Sequence, residues 1–166
     1  MSELEAPCPI CALHADRAAA AALEIGRTPL WLLRHHPQPA PLPGWLLLDA
    51  RRHIPGPVAF AEQEAAGWGA TVRLASQLVQ QLTGCERVYV IAFGEGAPHL
   101  HLHLIPRHAA DPATAAWAVA DLYRAVASGE RPPADPHRVR QLVERARQLV
   151  KWPELSAADG RPGAIA

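Results

Sequence analysis

The chain has no surplus of charge of either sign, no long apolar run and no basic, apolar start. Sixteen Lys plus Arg balance sixteen Asp plus Glu over 166 residues. Binding to nucleic acid or to an anionic membrane surface draws on an excess of positive charge. The balance supports neither role and leaves any anionic ligand to be held locally. Apolar stretches such as 45–48 and 88–93 are strand-sized and far short of the roughly 20 residues a spanning helix needs. The opening Met1-Ser2-Glu3-Leu4-Glu5-Ala6-Pro7 is acidic and lacks the pattern of a secretion signal. A cytoplasmic protein is expected, with one domain over 1–152 and a disordered tail over 153–166.

Cysteine is scarce as well: there are three, an odd number, and two form Cys8-Pro9-Ile10-Cys11. In a reducing compartment such a pair reads as half of a metal site or as a redox pair rather than as a structural disulfide. Cys85 stands alone beside Gly84 and reads as a small buried hydrophobe.

Periodicity orders the rest. An alanine-rich helix is expected over 12–24, stopped by Gly26, and then a strand over 28–35. Four prolines between His36 and Gly44 forbid regular structure there. A second strand comes next over 45–49, and a turn at Ile54-Pro55-Gly56-Pro57 leads into a long helix over 59–82. That helix sets Val72, Ala75, Leu78, Val79 and Leu82 on one face, and Thr83-Gly84 closes it. A strand over 88–93 and the turn Gly94-Glu95-Gly96-Ala97-Pro98 suggest an antiparallel hairpin whose second arm starts at His99. Two further helices are expected, over 112–127 and 136–151. Few strands, one long central helix and terminal helices imply an α+β domain built on an antiparallel sheet.

The hairpin's second arm is the most informative segment. His99, His101 and His103 alternate with Leu100, Leu102 and Leu104 and run on into Ile105-Pro106-Arg107. On a strand, alternate side chains share a face about 7 Å apart, so the leucines look to a core and the imidazoles to something else. An amphipathic strand with an incidental His-rich face, or a metal-collecting tract, is the plain alternative. Imidazole titrates near neutrality and serves as nucleophile, acid, base or ligand without extreme retuning. A neutral imidazole attacks phosphorus without first losing a proton from the attacking nitrogen, and the resulting phosphoramidate is labile to water.

His99-Leu-His-Leu-His-Leu-Ile-Pro-Arg107 resembles the signature of the histidine-triad (HIT) superfamily, and Gly44-Trp-Leu-Leu-Leu-Asp-Ala-Arg-Arg-His53 resembles that family's strand ending in a basic pair and a His. The likeness covers residues 8–108 and leaves the extension 112–152 outside. It implies a HIT-like antiparallel sheet of about five strands, a homodimer, and the bacterial zinc-containing, diadenosine polyphosphate hydrolase-like type. It also implies nucleotidyl transfer or hydrolysis at an α-phosphate, with His101 as nucleophile and His103 hydrogen-bonded to a phosphate oxygen. By the same resemblance His53 and His99 join Cys8 and Cys11 around zinc, which takes four such ligands when structural. Backbone N–H groups of Gly94-Glu95-Gly96 are candidates for further anion contacts.

The chain departs from the family pattern at three places. Trp45 stands where many relatives have His, and Glu95 and Gly96 stand where many have Gln and Ser. The acidic residue that often holds the ribose falls in the proline-rich stretch beside His35 and His36. A Glu near phosphates repels them unless protonated, averted or paired. A nucleotide-binding or partner-binding protein with weak turnover is therefore the alternative to a hydrolase. Transfer to a sugar phosphate is a third reading, though such enzymes usually have Pro between the first two histidines and are longer.

Overall fold

The computed structural model describes residues 8–152. The chain opens with two short helices, α1 (Pro9–Ala15) and α2 (Arg17–Ala21), and enters a sheet through β1 (Glu24–Arg27), β2 (Trp31–His35) and β3 (Leu46–Ala50). The long helix α3 (Glu62–Thr83) leads to β4 (Arg87–Ile91) and β5 (His101–Arg107), and α4 (Val119–Ala127) and α5 (Pro136–Leu149) complete the fold. The five strands lie in the order β1-β2-β3-β5-β4, and each neighbouring pair is antiparallel. This is the α+β architecture expected, including the β4–β5 hairpin and the long central helix.

One face of the sheet carries the main core. Leu33, Leu46, Leu48, Leu102 and Leu104 meet Ala75, Leu78, Val79 and Leu82 of α3 and Val139, Val143 and Ala146 of α5, with Cys85 buried among them. Burying a leucine side chain stabilises by roughly 2 kcal/mol, so the alternating leucines of β5 anchor that strand firmly to α3. Gly84 ends α3 in the left-handed conformation, φ 68°, where its N–H donates to the Gln80 carbonyl. The opposite face holds a smaller cluster of Trp45, Leu47, Ile105 and Val119. Val119 belongs to α4, which therefore covers part of that face.

Four expectations need correction. The helix expected over 12–24 is two helices divided at Asp16, whose Oδ1 accepts from the N–H groups of Ala18 and Ala19 and so starts a new helix. Its last residue, Glu24, lies in β1, a strand that local propensity hid. Gly26, expected to end a helix, sits inside β1 opposite Leu33 of β2, and the Trp152 indole packs against it, with Nε1 only 2.6 Å from where a Cβ would stand. The helix expected over 112–127 is a 3₁₀ turn at Pro112–Thr114 and then α4 (Val119–Ala127). The Thr114 hydroxyl bonds to the carbonyls of His108 and Asp111, closing that turn on itself. Finally, β5 begins at His101, so His99 precedes the strand. The tail expected from residue 153 lies outside the described residues, and none of the described helices is long and apolar enough to cross a membrane.

Candidate functional site

Register places the site. His101 pairs with Asp49 and His103 with Leu47 across β3 and β5, so both imidazoles stand on the face opposite the leucine core. Their ring centroids are 5.3 Å apart. The His101 Nδ1 lies 2.6 Å from the His99 carbonyl oxygen. A carbonyl only accepts, so Nδ1 carries the proton and the neutral ring keeps its lone pair on Nε2. His101 and His103 line a cavity of about 380 Å³, together with Trp45, Phe93, Glu95 and Gly96. Its remaining wall is α4, through Val119, Ala120, Tyr123 and Arg124. Arg124 also pairs with Asp121 one turn earlier on the solvent side of that helix.

His103 is 5% exposed, and its Nδ1 accepts from the Trp45 indole N–H at 3.0 Å. Burial, then the neighbouring His101, His36 and Arg34, push its pKa down to about 3, so the ring is neutral at pH 7. His36, at the end of β2, sits 6.2 Å from His103 between Trp45 and Tyr123. Burial takes its pKa down to about 4. His35 does not replace the missing carboxylate as an open ligand, since both of its ring nitrogens are engaged. The Nδ1 groups of His35 and His36 donate to the carbonyls that come after them in the chain, and His35 Nε2 accepts from the Gly44 N–H.

His99 faces a different way. Its ring is buried, its Nε2 donates to the Ala50 carbonyl at 2.7 Å, and its Nδ1 lies 3.6 Å from Cys8 Sγ and 3.4 Å from Cys11 Sγ. His53 Nδ1 lies 3.3 Å from Cys11 Sγ, and the ligand atoms of Cys8, Cys11, His53 and His99 all fall within 4.8 Å of one another. A tetrahedral metal with bonds of about 2.3 Å to sulfur and 2.0–2.1 Å to nitrogen spans S···N edges of about 3.5 Å, so these four residues could hold a metal ion. Donation from Nε2 to Ala50 fixes the tautomer such a ligand needs. Burial, and then the hydrogen bond and charge of Cys8, raise the Cys11 pKa, and a bound cation would reverse that balance.

Between the two clusters lies a buried network that sequence reasoning missed. Asp49 accepts from Arg34 Nε at 2.6 Å, from Arg34 Nη2 at 3.2 Å and from His14 Nε2 at 3.0 Å, while Arg34 Nη1 is buried with no partner. His14 also packs edge-on against His99 at 5.4 Å, which ties α1 to the strand pair beneath His101.

The structure thus brings His101, His103, Glu95 and Gly96 to one cavity and sets Cys8, Cys11, His53 and His99 around a separate point. Sequence reasoning placed the C-terminal helices outside the core and so missed Tyr123 and Arg124. The three-and-four spacing of Val119, Leu122, Tyr123 and Val126 was the available signal.

Solved structures share this fold. A zinc-bound histidine triad family protein from Mycobacterium smegmatis is 17% identical with a TM-score of 0.61, covering 86% of this chain and 94% of that one. A histidine triad protein from Bradyrhizobium japonicum is 26% identical with a TM-score of 0.59, covering 78% and 90%. The NitFhit protein of C. elegans is 15% identical with a TM-score of 0.55, and this chain spans only 27% of its length. No family model matches the chain, and no curated protein matches it. The fold is that of the histidine triad proteins.

Proposed function

We propose that the chain is a nucleotide hydrolase or transferase that cleaves at an α-phosphate, with a dinucleoside polyphosphate or a nucleoside phosphoramidate as substrate. The observation that carries this is the 2.6 Å contact between His101 Nδ1 and the His99 carbonyl, which leaves Nε2 as the bare nitrogen of a ring lining the cavity. Nε2 attacks the α-phosphorus, an N–P bond forms, and the bond to the leaving group breaks with its electron pair. The His99 carbonyl stabilises the positive ring that results. His103 donates to a phosphate oxygen as charge gathers there. Water then attacks phosphorus, the N–P electron pair returns to His101, and a nucleoside monophosphate and a proton are released.

Zinc is the metal that two thiols and two imidazoles fit best, and with four protein ligands it leaves no open position. In this reading it is structural, clamping the chain two residues before the nucleophile. A homodimer belongs to the same reading, and β4, with Val90 exposed, is an open sheet edge.

Incubation with diadenosine polyphosphates and with an adenosine phosphoramidate, comparing the wild type with His101→Ala, tests the proposal. Turnover by the wild type and its loss in the variant are expected. Nucleotide binding without turnover by the wild type would assign the chain to the binding class instead.

A further inference from the structure

The Trp45 side chain is fully buried, yet its one polar atom is spent on an imidazole: Nε1–H donates to His103 Nδ1 at 3.0 Å. An indole nitrogen can only donate. The nitrogen facing it must therefore hold a lone pair, which puts the single proton of neutral His103 on Nε2. We propose that Trp45 is a positioning residue that locks His103 in its Nε2–H tautomer, making His103 a hydrogen-bond donor, and never an acceptor, toward the anion held in the cavity. The identity of that anion rests on the proposed nucleotide chemistry; the lock itself does not.

The surroundings hold both rings in place. Gly44, in the left-handed conformation at φ 83°, turns the chain into β3, and a Cβ there would fall 2.2 Å from Thr83 Cγ2. The indole meets His36 of the β2 end at 5.6 Å and Tyr123 of α4 at 6.0 Å, both between ring centroids. The groups facing His103 are His101 on its own strand, His36 beyond β2, and Phe93 in the β4–β5 loop at 5.0 Å. Glu95 lines the same cavity, and Arg34 and Asp49 act from β2 and β3. Protonating Nδ1 would set N–H against N–H and forfeit the bond from Trp45. The pKa of about 3 agrees with a ring that stays neutral. His103 then acts as a fixed dipole rather than as a cation or a proton source, and such preorganised donors need no reorganisation when charge develops.

Imidazole nitrogen NMR on the full chain, with Trp45→Phe and Trp45→His, tests the lock. In the wild type His103 should show one tautomer, bare at Nδ1 and protonated at Nε2, unchanged between pH 5 and 8. Trp45→Phe keeps an aromatic ring but no donor, so both tautomers should appear. With a nucleotide substrate kcat should then fall about fivefold with KM unchanged, the worth of one neutral hydrogen bond. Trp45→His restores an N–H and should restore the single tautomer. Protonation at Nδ1 in the wild type, or a tautomer indifferent to Trp45→Phe, would overturn the proposal. If Trp45→Phe fails to fold, the wild-type tautomer decides alone. A wild type that turns over no nucleotide but shows the Nε2–H tautomer removes the proposed nucleotide chemistry and leaves the lock standing.

Discussion

Replacing Asp49 by Asn should cost this fold about 3–5 kcal/mol, because it strands a charge in a place water does not reach. Asp49 is 0% exposed and Arg34 2%, and the carboxylate supplies all the side-chain acceptors the guanidinium has. Asparagine keeps the shape but gives up the charge and one acceptor oxygen. Its amide N–H groups would face guanidinium and imidazole donors. Arg34 Nη1 already lacks a partner, so the variant would leave the cation with still less compensation. Against a net stability of about 5–15 kcal/mol the loss is large. It corresponds to a fall in Tm of roughly 10 °C for a domain of this size. Burial alone would raise the Asp49 pKa, but the Arg34 charge and the bonds from His14 and Arg34 outweigh it and hold the group below the usual carboxylate range. A carboxyl with a depressed folded pKa contributes fully above its unfolded value of about 4 and loses that contribution only as pH falls through the folded value. The deficit of Asp49→Asn should therefore be constant from pH 5 to 8. Replacing both partners with apolar residues, Arg34→Met with Asp49→Leu, removes charge and counter-charge together and should cost far less than the single change. Thermal and urea unfolding of the three proteins checks this. A single variant melting within about 3 °C of the wild type, or a double variant as unstable as the single, would refute the reasoning.

Mild acid should destabilise the protein through its buried neutral histidines. His36 and His103, at about 4 and 3 when folded, bind protons only after unfolding near 6.5, so their contribution is full above pH 6.5 and declines as pH falls toward the folded values. Each accounts for about 2 kcal/mol by pH 5, and a urea midpoint equal at pH 7 and pH 5 would contradict this. Chelation, or Cys11→Ala, should lower Tm with activity lost in parallel, since a metal present at about a thousand times its Kd stabilises by about 4 kcal/mol; purified protein without zinc and unmoved by chelator would sink the metal assignment. Gly96→Ser should fit, since a Cβ there meets nothing within 4 Å. If its hydroxyl can protonate an amine leaving group, phosphoramidate turnover should rise relative to anhydride turnover on the order of tenfold, and an unchanged ratio would show that leaving-group departure needs no such help.

Short-range rules made α3 and the β4–β5 hairpin legible in the residues. Alternation gave the orientation of His101, His103 and their leucines, and three-and-four spacing gave α3. Both depend only on backbone geometry. The resemblance to the histidine triad pattern supplied the four candidate metal ligands, and their side chains do converge. The features that escaped depended on contacts distant in sequence. Gly26 is a strand residue through its pairing with Leu33, and Trp152, far along the chain, packs over it where a side chain would collide. His14 and Arg34 gave no local sign of meeting Asp49, since buried ion pairs have no periodicity. Three imidazoles on one face became two, because the cysteine pair and the Ala50 carbonyl turn His99 aside before the strand begins.

The division of the cavity between β5 and α4 separates what the site does from what it accepts. In the proposed mechanism, reactivity resides on a strand whose every second residue is committed to the core, where substitution is costly. The facing wall belongs to a helix that anchors itself through Val119, Leu122 and Val126 and offers Ala120, Tyr123 and Arg124 to the occupant. Ala120 and Arg124 can change without disturbing the nitrogen proposed to attack or its supports, whereas Tyr123 also packs against Trp45 and His36. Selection acting on α4 could therefore redirect the proposed chemistry to a new clientele while leaving the histidines and their supports intact, and a library varied at only Ala120 and Arg124 is the smallest one in which to look for such a change.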